Sequence, residues 1–250
     1  MIVFNTDLDN TMIYSYKQDI GIDKRCVEIY QNREISFITN KTYKLLQEVK
    51  NKVLIVPTTT RTVEQYSRIN FGLGIPKYAL TCNGGVLLVD GVENEHWYND
   101  SYALVENCQY ELAKAENLLE NDENRSFEVR NIKKLFIFTK SNAPEKTVEK
   151  LKLLLNTDLL DIFSNGVKVY AVPKNLSKGV AIDRFRKMMN AKTVISAGDS
   201  EFDIPMLKKA DIAIAPEQLK HIKSLEIGTV FMSSGRVFSE SILEYILRNI

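Results

Sequence analysis

Two histidines, three cysteines and one tryptophan among 250 residues leave several kinds of chemistry short of material. Cys26, Cys82 and Cys108 are odd in number and widely spaced, so they form neither a disulfide framework nor a Cys-x-x-Cys metal site, and a reducing, cytoplasmic setting is expected. His96 and His221 stand outside every motif, as does Trp97, so catalytic His or Cys chemistry has no supporting constellation. No apolar run approaches the roughly 20 residues of a membrane span. Acidic residues fall within the first ten positions, and a soluble chain without a signal segment is expected. A formal net charge of +1 gives no general pull toward polyanions, so neither nucleic acid nor a membrane surface is an expected partner. Neither the Walker A loop nor Gly-x-Gly-x-x-Gly occurs, which disfavours P-loop and nicotinamide chemistry.

What is present begins at Asp7-Leu8-Asp9-Asn10-Thr11, directly behind the apolar run Ile2-Val3-Phe4. Strand side chains alternate, so Asp7 and Asp9 would emerge on one side at the strand's carboxyl end. Two carboxylates so close repel unless a cation lies between them or one keeps its proton. The pair therefore points to Mg2+ binding, to acid/base work or to both, with a solvated turn as the plain alternative.

Further along, the spacing predicts a hairpin over Cys26–Ile38 turning at Asn32-Arg33, and a helix capped by Thr39-Asn40 that carries Tyr43, Leu45, Leu46 and Val49. Val53–Val56 reads as a buried strand ending at Pro57-Thr58-Thr59-Thr60-Arg61. A helix over Val63–Ile69 and a strand over Tyr78–Thr81 follow, and Asn83-Gly84-Gly85 is a turn and a candidate hinge. Residues 86–173 read as an inserted α/β domain, with helices near Tyr102–Leu119 and Pro144–Leu155 and strands near Ser126–Arg130, Lys134–Thr139 and Val167–Val172. A helix then starts at Ser177-Lys178-Gly179, and the strand Thr193–Ala197 runs into Gly198-Asp199-Ser200-Glu201-Phe202-Asp203. Short strands at Ile212–Ala215 and Thr229–Phe231 and an amphipathic helix from Ser239 complete the chain. The expected organisation is a catalytic core of residues 1–85 plus 174–250 with residues 86–173 inserted.

Alternating strands and helices imply a parallel sheet, beyond whose carboxyl ends ligands gather. Asp7, Asp9 and Asp199 offer the hard oxygen donors that Mg2+ prefers, while Thr59 and Lys178 suit phosphoryl oxygens. Arg61 suits either substrate binding or a structural hydrogen bond. Arg130, Lys133 and Lys134 could meet a second acidic group of a substrate or simply be solvated.

Asp-x-Asp-x-Thr at 7–11, Thr-x-Arg at 59–61, Lys178 opening a helix and Gly-Asp-Ser-x-x-Asp at 198–203, in this order, resemble the four motifs of the haloacid dehalogenase (HAD) superfamily. A cap inserted after Asn-Gly-Gly resembles the Cof-like branch, whose relatives include sucrose-phosphate phosphatases and phosphomannomutases. The resemblance implies an α/β, Rossmann-like core with an α/β cap that closes over the substrate. It implies a Mg2+-dependent phosphomonoesterase acting on a small phosphate ester, a sugar phosphate first among them. Asp7 would be the nucleophile and Asp9 the acid and base; Thr59, Thr60, Arg61 and Lys178 would bind substrate; Asp7, Asp9, Asp199 and Asp203 would serve the metal. A phosphomutase, or a non-catalytic sugar-phosphate binder, is the alternative. Two positions depart from the pattern: Thr60 replaces Gly, and Phe202 stands where relatives often have Asn. Oligomeric state is not read from these residues.

Overall fold

The computed structural model describes residues 1–225, 228–233 and 235–250. Two compact units emerge: Met1–Asn94 together with Lys178–Ile250, and Glu95–Ser177.

The first unit opens with β1 (Ile2–Thr6), β2 (Tyr14–Ser15), β3 (Lys24–Tyr30) and β4 (Arg33–Thr39). β3 and β4 form the expected hairpin, but the turn is Gln31-Asn32 rather than Asn32-Arg33. Both turn residues have positive φ (50° and 60°), as a two-residue hairpin loop that follows strand twist requires. Helix α1 (Asn40–Val49) is capped by Thr39, whose side chain accepts from the Thr42 N–H. β5 (Leu54–Pro57) leads to α2 (Val63–Ser67), which a reciprocal Thr62/Gln65 capping box starts. β6 (Tyr78–Thr81), β7 (Val86–Val89) and β8 (Val92–Glu93) make a small antiparallel sheet. Asn83-Gly84-Gly85 is the tight connection between β6 and β7 in that sheet, with Thr81 paired to Val86.

The second unit contains α3 (Glu95–Val105), α4 (Gln109–Glu120), β9 (Arg130–Ile132), β10 (Phe136–Lys140), α5 (Pro144–Leu154), β11 (Leu160–Asn165) and β12 (Lys168–Pro173). Its sheet runs β11-β12-β10-β9, antiparallel throughout, and one face packs under α4 and α5 through Leu112, Leu119, Ile137, Leu151 and Val169. Where one helix was expected over Tyr102–Leu119, two stand, broken at Glu106–Cys108 in a 3-10 turn. The expected strand Ser126–Arg130 is displaced to β9, and Lys133 and Lys134 form the β9–β10 turn with φ of 51° and 59°.

Back in the first unit come α6 (Lys178–Met189), β13 (Thr193–Ala197), α7 (Ile204–Leu207), β14 (Ile212–Pro216), β15 (Thr229–Met232) and α8 (Phe238–Asn249). The central sheet is wholly parallel in the order β15-β14-β13-β1-β5. Its middle strands carry apolar runs, Ile2–Phe4 in β1 and Val194–Ile195 in β13, because both faces are covered: Val3, Phe4, Val194 and Ile195 are all buried. The carboxyl ends of β13, β1 and β5 lie side by side, with Thr6 opposite both Ala197 and Pro57. Every polar cluster singled out in the sequence follows one of these three ends or opens α6. Among the described residues, no helix is long and apolar enough to cross a membrane.

Candidate active site

Pairing continues one residue past β1, where the Asp7 N–H donates to the Ala197 carbonyl at 2.9 Å. Beyond that the chain folds sharply on itself. The Leu8 carbonyl accepts from Thr11, Met12 and Ile13 N–H groups at 3.2, 2.9 and 2.8 Å, and Asn10 takes the left-handed conformation that Asn tolerates. Leu8 and Met12 are buried, so the loop is anchored from behind while its polar side chains face forward. Thr11 Oγ1 donates to Asp199 Oδ1 at 2.9 Å, joining the first motif to the last.

Lys178 is 1% exposed, and its ammonium has two carboxylate partners. Nζ lies 2.5 Å from Asp7 Oδ1 and 2.6 Å from Asp203 Oδ1. The other oxygen of Asp203 accepts from the Asp199 N–H, the Ser200 N–H and the Ser200 hydroxyl, so Asp203 holds together the loop that presents Asp199. Asp7, Asp199 and Asp203 offer ligand atoms within 4.8 Å of one another.

Burial pushes the Asp7 carboxyl well above the usual carboxylate range; Lys178 opposes this, and the carboxylates of Asp203, Asp199 and Asp9 add to it. Asp199 is pushed up to about 6 by burial and by Asp203, against the hydrogen bond from Thr11 and the charge of Lys178. Burial alone would lower the Lys178 ammonium, but Asp203 and Asp7 hold it charged and raise it. With all three carboxylates ionised, the cluster carries a divalent excess of negative charge. Hard oxygens at this separation and that charge fit a cation such as Mg2+, so the donor set suits the expected cofactor.

Two glycines make this geometry possible. A Cβ on Gly179 would meet the Pro205 carbonyl oxygen at 2.4 Å, so α6 and α7 approach as closely as they do only with Gly behind Lys178. A Cβ on Gly198 would lie 2.3 Å from Asp203 Cβ. Gly198→Ala must therefore displace Asp203 from Lys178 and from the 199–200 amides. Chemical denaturation should report a loss of about 2 kcal/mol or more, in the upper range of overpacking costs, and unchanged stability would contradict the packing described here.

Asp9 faces a different partner. Its half-exposed carboxylate takes the Arg61 fork, Nε to Oδ2 at 2.8 Å and Nη2 to Oδ1 at 2.7 Å. Its side chain is thus engaged by Arg61 rather than grouped with the three converging carboxylates. Thr59 is fully buried, and its Oγ1 accepts from the Arg61 N–H at 3.1 Å, which leaves the hydroxyl proton to be donated forward. The Asn83 N–H donates to the Thr59 carbonyl and the Cys82 N–H to the Arg61 carbonyl, so the 82–83 turn buttresses this loop. Thr60 is half-buried between them, and Phe202 is half-buried in the 3-10 turn Glu201–Asp203. In the second unit Arg130 pairs with Glu128 at 2.6 Å, and Lys133 lies over the Tyr98 ring.

Thr11 as a bridge to Asp199 went unread in the sequence although it ends the first motif. Glu28, a buried ion-pair partner of Arg61, carried no sequence signal at all, because a β-bulge between Cys26 and Ile29 breaks the alternation that would have revealed its direction.

The family model of haloacid dehalogenase-like hydrolases matches residues 87–221, more than half of the chain. That span contains Lys178, Asp199 and Asp203 but not Asp7. No curated protein matches. Among solved structures, a sucrose-phosphatase from Synechocystis sp. PCC6803, in complex with sucrose and phosphate, is 17% identical with a TM-score of 0.68, covering 99% of this chain and 97% of its own. A haloacid dehalogenase-like hydrolase from B. subtilis is 14% identical with a TM-score of 0.63 over the full length of both chains. A phosphatase of the same superfamily from Bacteroides thetaiotaomicron is 14% identical with a TM-score of 0.59, covering 99% and 94%. At these identities the likeness is one of fold.

Proposed function

The chain belongs to the haloacid dehalogenase-like hydrolases, and from that premise we propose that it hydrolyses phosphate monoesters of small metabolites through an aspartyl-phosphate on Asp7. The observation that carries the proposal is Lys178, buried and bridging Asp7 and Asp203, with Asp199 in reach of both carboxylates.

Lys178 occupies Asp7 Oδ1 and so orients the carboxylate for attack through its other oxygen. That oxygen attacks phosphorus, the bond from phosphorus to the ester oxygen breaks, and the leaving oxygen takes a proton from Asp9. Water then attacks the phosphorus of the aspartyl-phosphate and gives a proton to Asp9. The bond to Asp7 breaks, and an alcohol and inorganic phosphate are the products. The Thr59 hydroxyl and the Thr60 N–H would hold phosphoryl oxygens during both displacements, and Lys178 would offset the charge that builds on them. Asp7, Asp199 and the main chain at Asp9 would hold Mg2+, with Asp203 supporting them; when bound, the ion supplies positive charge against which carboxylate and phosphoryl oxygens can approach. Asp203 is better placed to support Asp199 than to ligate, since its oxygens already receive Lys178 and the 199–200 donors. We place this machinery in the first unit, leaving substrate choice to the second, Glu95–Ser177.

A sugar phosphate is the substrate class we favour, because the fold is shared along both chains with a phosphatase whose ligands are sucrose and phosphate. Purified protein given a panel of hexose and disaccharide phosphates should release inorganic phosphate with Mg2+. With EDTA the rate should fall at least about a hundredfold. Undiminished release in EDTA would count against the reading, and an isomeric sugar phosphate without free phosphate would make the protein a mutase.

A further inference from the structure

A carboxylate with no exposed surface is costly to keep in a fold unless each oxygen is paired. The side chain of Glu28, on β3, has none exposed, and three partners meet it. Ser36 Oγ donates to Oε2 at 2.6 Å, Arg68 Nε to Oε1 at 3.1 Å, and Arg61 Nη1 lies 2.9 Å from Oε1. The same Arg61 guanidinium grips both oxygens of Asp9 through Nε and Nη2. One planar cation therefore connects a fixed buried carboxylate to a half-exposed one.

The mechanics follow from planarity. Arginine has a long, rotatable stem, but its donors share one plane, so a contact on Nη1 sets the direction of the pair formed by Nε and Nη2. The side chain of Asp9 is 51% exposed, so packing alone does not fix its rotamer. Glu28 reaches Arg61 only because the bulge at Cys26–Ile29 places Val27 and Glu28 on the buried side in succession. A protonated Asp9 would still accept from Arg61 on one oxygen and present the hydroxyl on the other.

We propose that Glu28 is a positioning residue for proton transfer: acting through Arg61, it holds the Asp9 carboxyl in the orientation from which it protonates the leaving oxygen. The inference rests on the aspartyl-phosphate reading with Asp9 as the acid. It predicts a dependence on leaving group that a merely structural role would not give. p-Nitrophenolate departs readily without a proton, whereas a sugar alkoxide needs one.

The experiment compares kcat and KM of the natural protein and Glu28→Gln on p-nitrophenyl phosphate and on the best hexose phosphate, with Mg2+. For the hexose phosphate, kcat/KM, which reports the displacement that expels the leaving group and not the later attack of water, should fall about ten- to a hundredfold, and for p-nitrophenyl phosphate less than about threefold. Equal losses on the two substrates, or none, overturn the proposal. Because Gln leaves Arg61 and Arg68 without their shared carboxylate, Ser36→Ala serves as a milder second variant that removes only one hydrogen bond. It should show the same substrate pattern at about two- to fivefold. If Glu28→Gln does not fold, a Ser36→Ala variant with identical effects on both substrates overturns the proposal. Full activity in Asp7→Asn would bring down the aspartyl-phosphate reading as well; an Asp7-dependent enzyme with no leaving-group difference brings down the role of Glu28 alone.

Discussion

Asp7→Asn should lower phosphate release at least about a thousandfold, since in the proposed mechanism it removes the group that carries the phosphoryl between the two displacements. The amide matches the carboxylate in size and still offers Lys178 an oxygen, so the loss is one of nucleophilicity rather than of shape. Stability should move the other way. Burial and three neighbouring carboxylates push the Asp7 carboxyl up, which means that its ionised form is held at a cost in the absence of a cation. The variant should therefore melt no lower than the natural protein in EDTA, and its stabilisation by Mg2+ should be smaller. Thermal melts with and without Mg2+, together with phosphate release, test both halves. Activity within tenfold of the natural protein would mean that another group attacks phosphorus.

Lys178→Met should cost both activity and stability. Its ammonium is the buried cation that faces Asp7 and Asp203, and methionine fills a similar volume without charge. Removing one member of a buried ion pair leaves the other uncompensated, so urea denaturation in EDTA should show a loss of about 3–5 kcal/mol. Mg2+ should return part of it, because a cation among the same carboxylates replaces some of the missing charge. Phosphate release at saturating Mg2+ should still be down at least about a hundredfold, as with other charge-stabilising groups aimed at a reacting centre. Unchanged stability in EDTA would mean that Asp7 and Asp203 do not depend on Lys178. The two variants are thus opposites: Asp7→Asn is inactive and firm, Lys178→Met inactive and weak.

The parallel core was legible in the sequence for a physical reason. Strands buried on both faces read as largely apolar runs, and β13 (Thr193–Ala197) and β14 (Ile212–Pro216) stand within a residue of where those runs placed them. Three of the four polar clusters were legible because each follows such a run. Lys178 opens α6 as expected, and the Asp199 loop follows β13 directly. Where side-chain direction depends on irregular backbone, the pattern was silent. Glu28 faces inward because of a bulge, which sequence alternation cannot encode. The Asp9–Arg61 fork joins residues 52 positions apart, and neither motif alone points to the other. In the second unit, Val105–Cys108 interrupts what reads as one helical stripe, and β11 escaped notice because only Leu160 and Ile162 of its six residues turn clearly inward.

The order of the central sheet also bears on how the chain is made. β1 leaves the ribosome long before β13, one of its two neighbours in the sheet, with Ile2 opposite Thr193. At 5–20 residues per second, that partner strand follows about 10–40 s later. Until then Ile2–Phe4 has one unpaired edge, and the Asp7 carboxylate has neither Lys178 nor the Asp199 loop beside it. Pairing across such a separation is slow to form, so the nascent β1 segment is where holding by a chaperone would matter most. The cluster of Asp7, Lys178, Asp199 and Asp203 is therefore a late product of folding, assembled only once synthesis has passed Asp203.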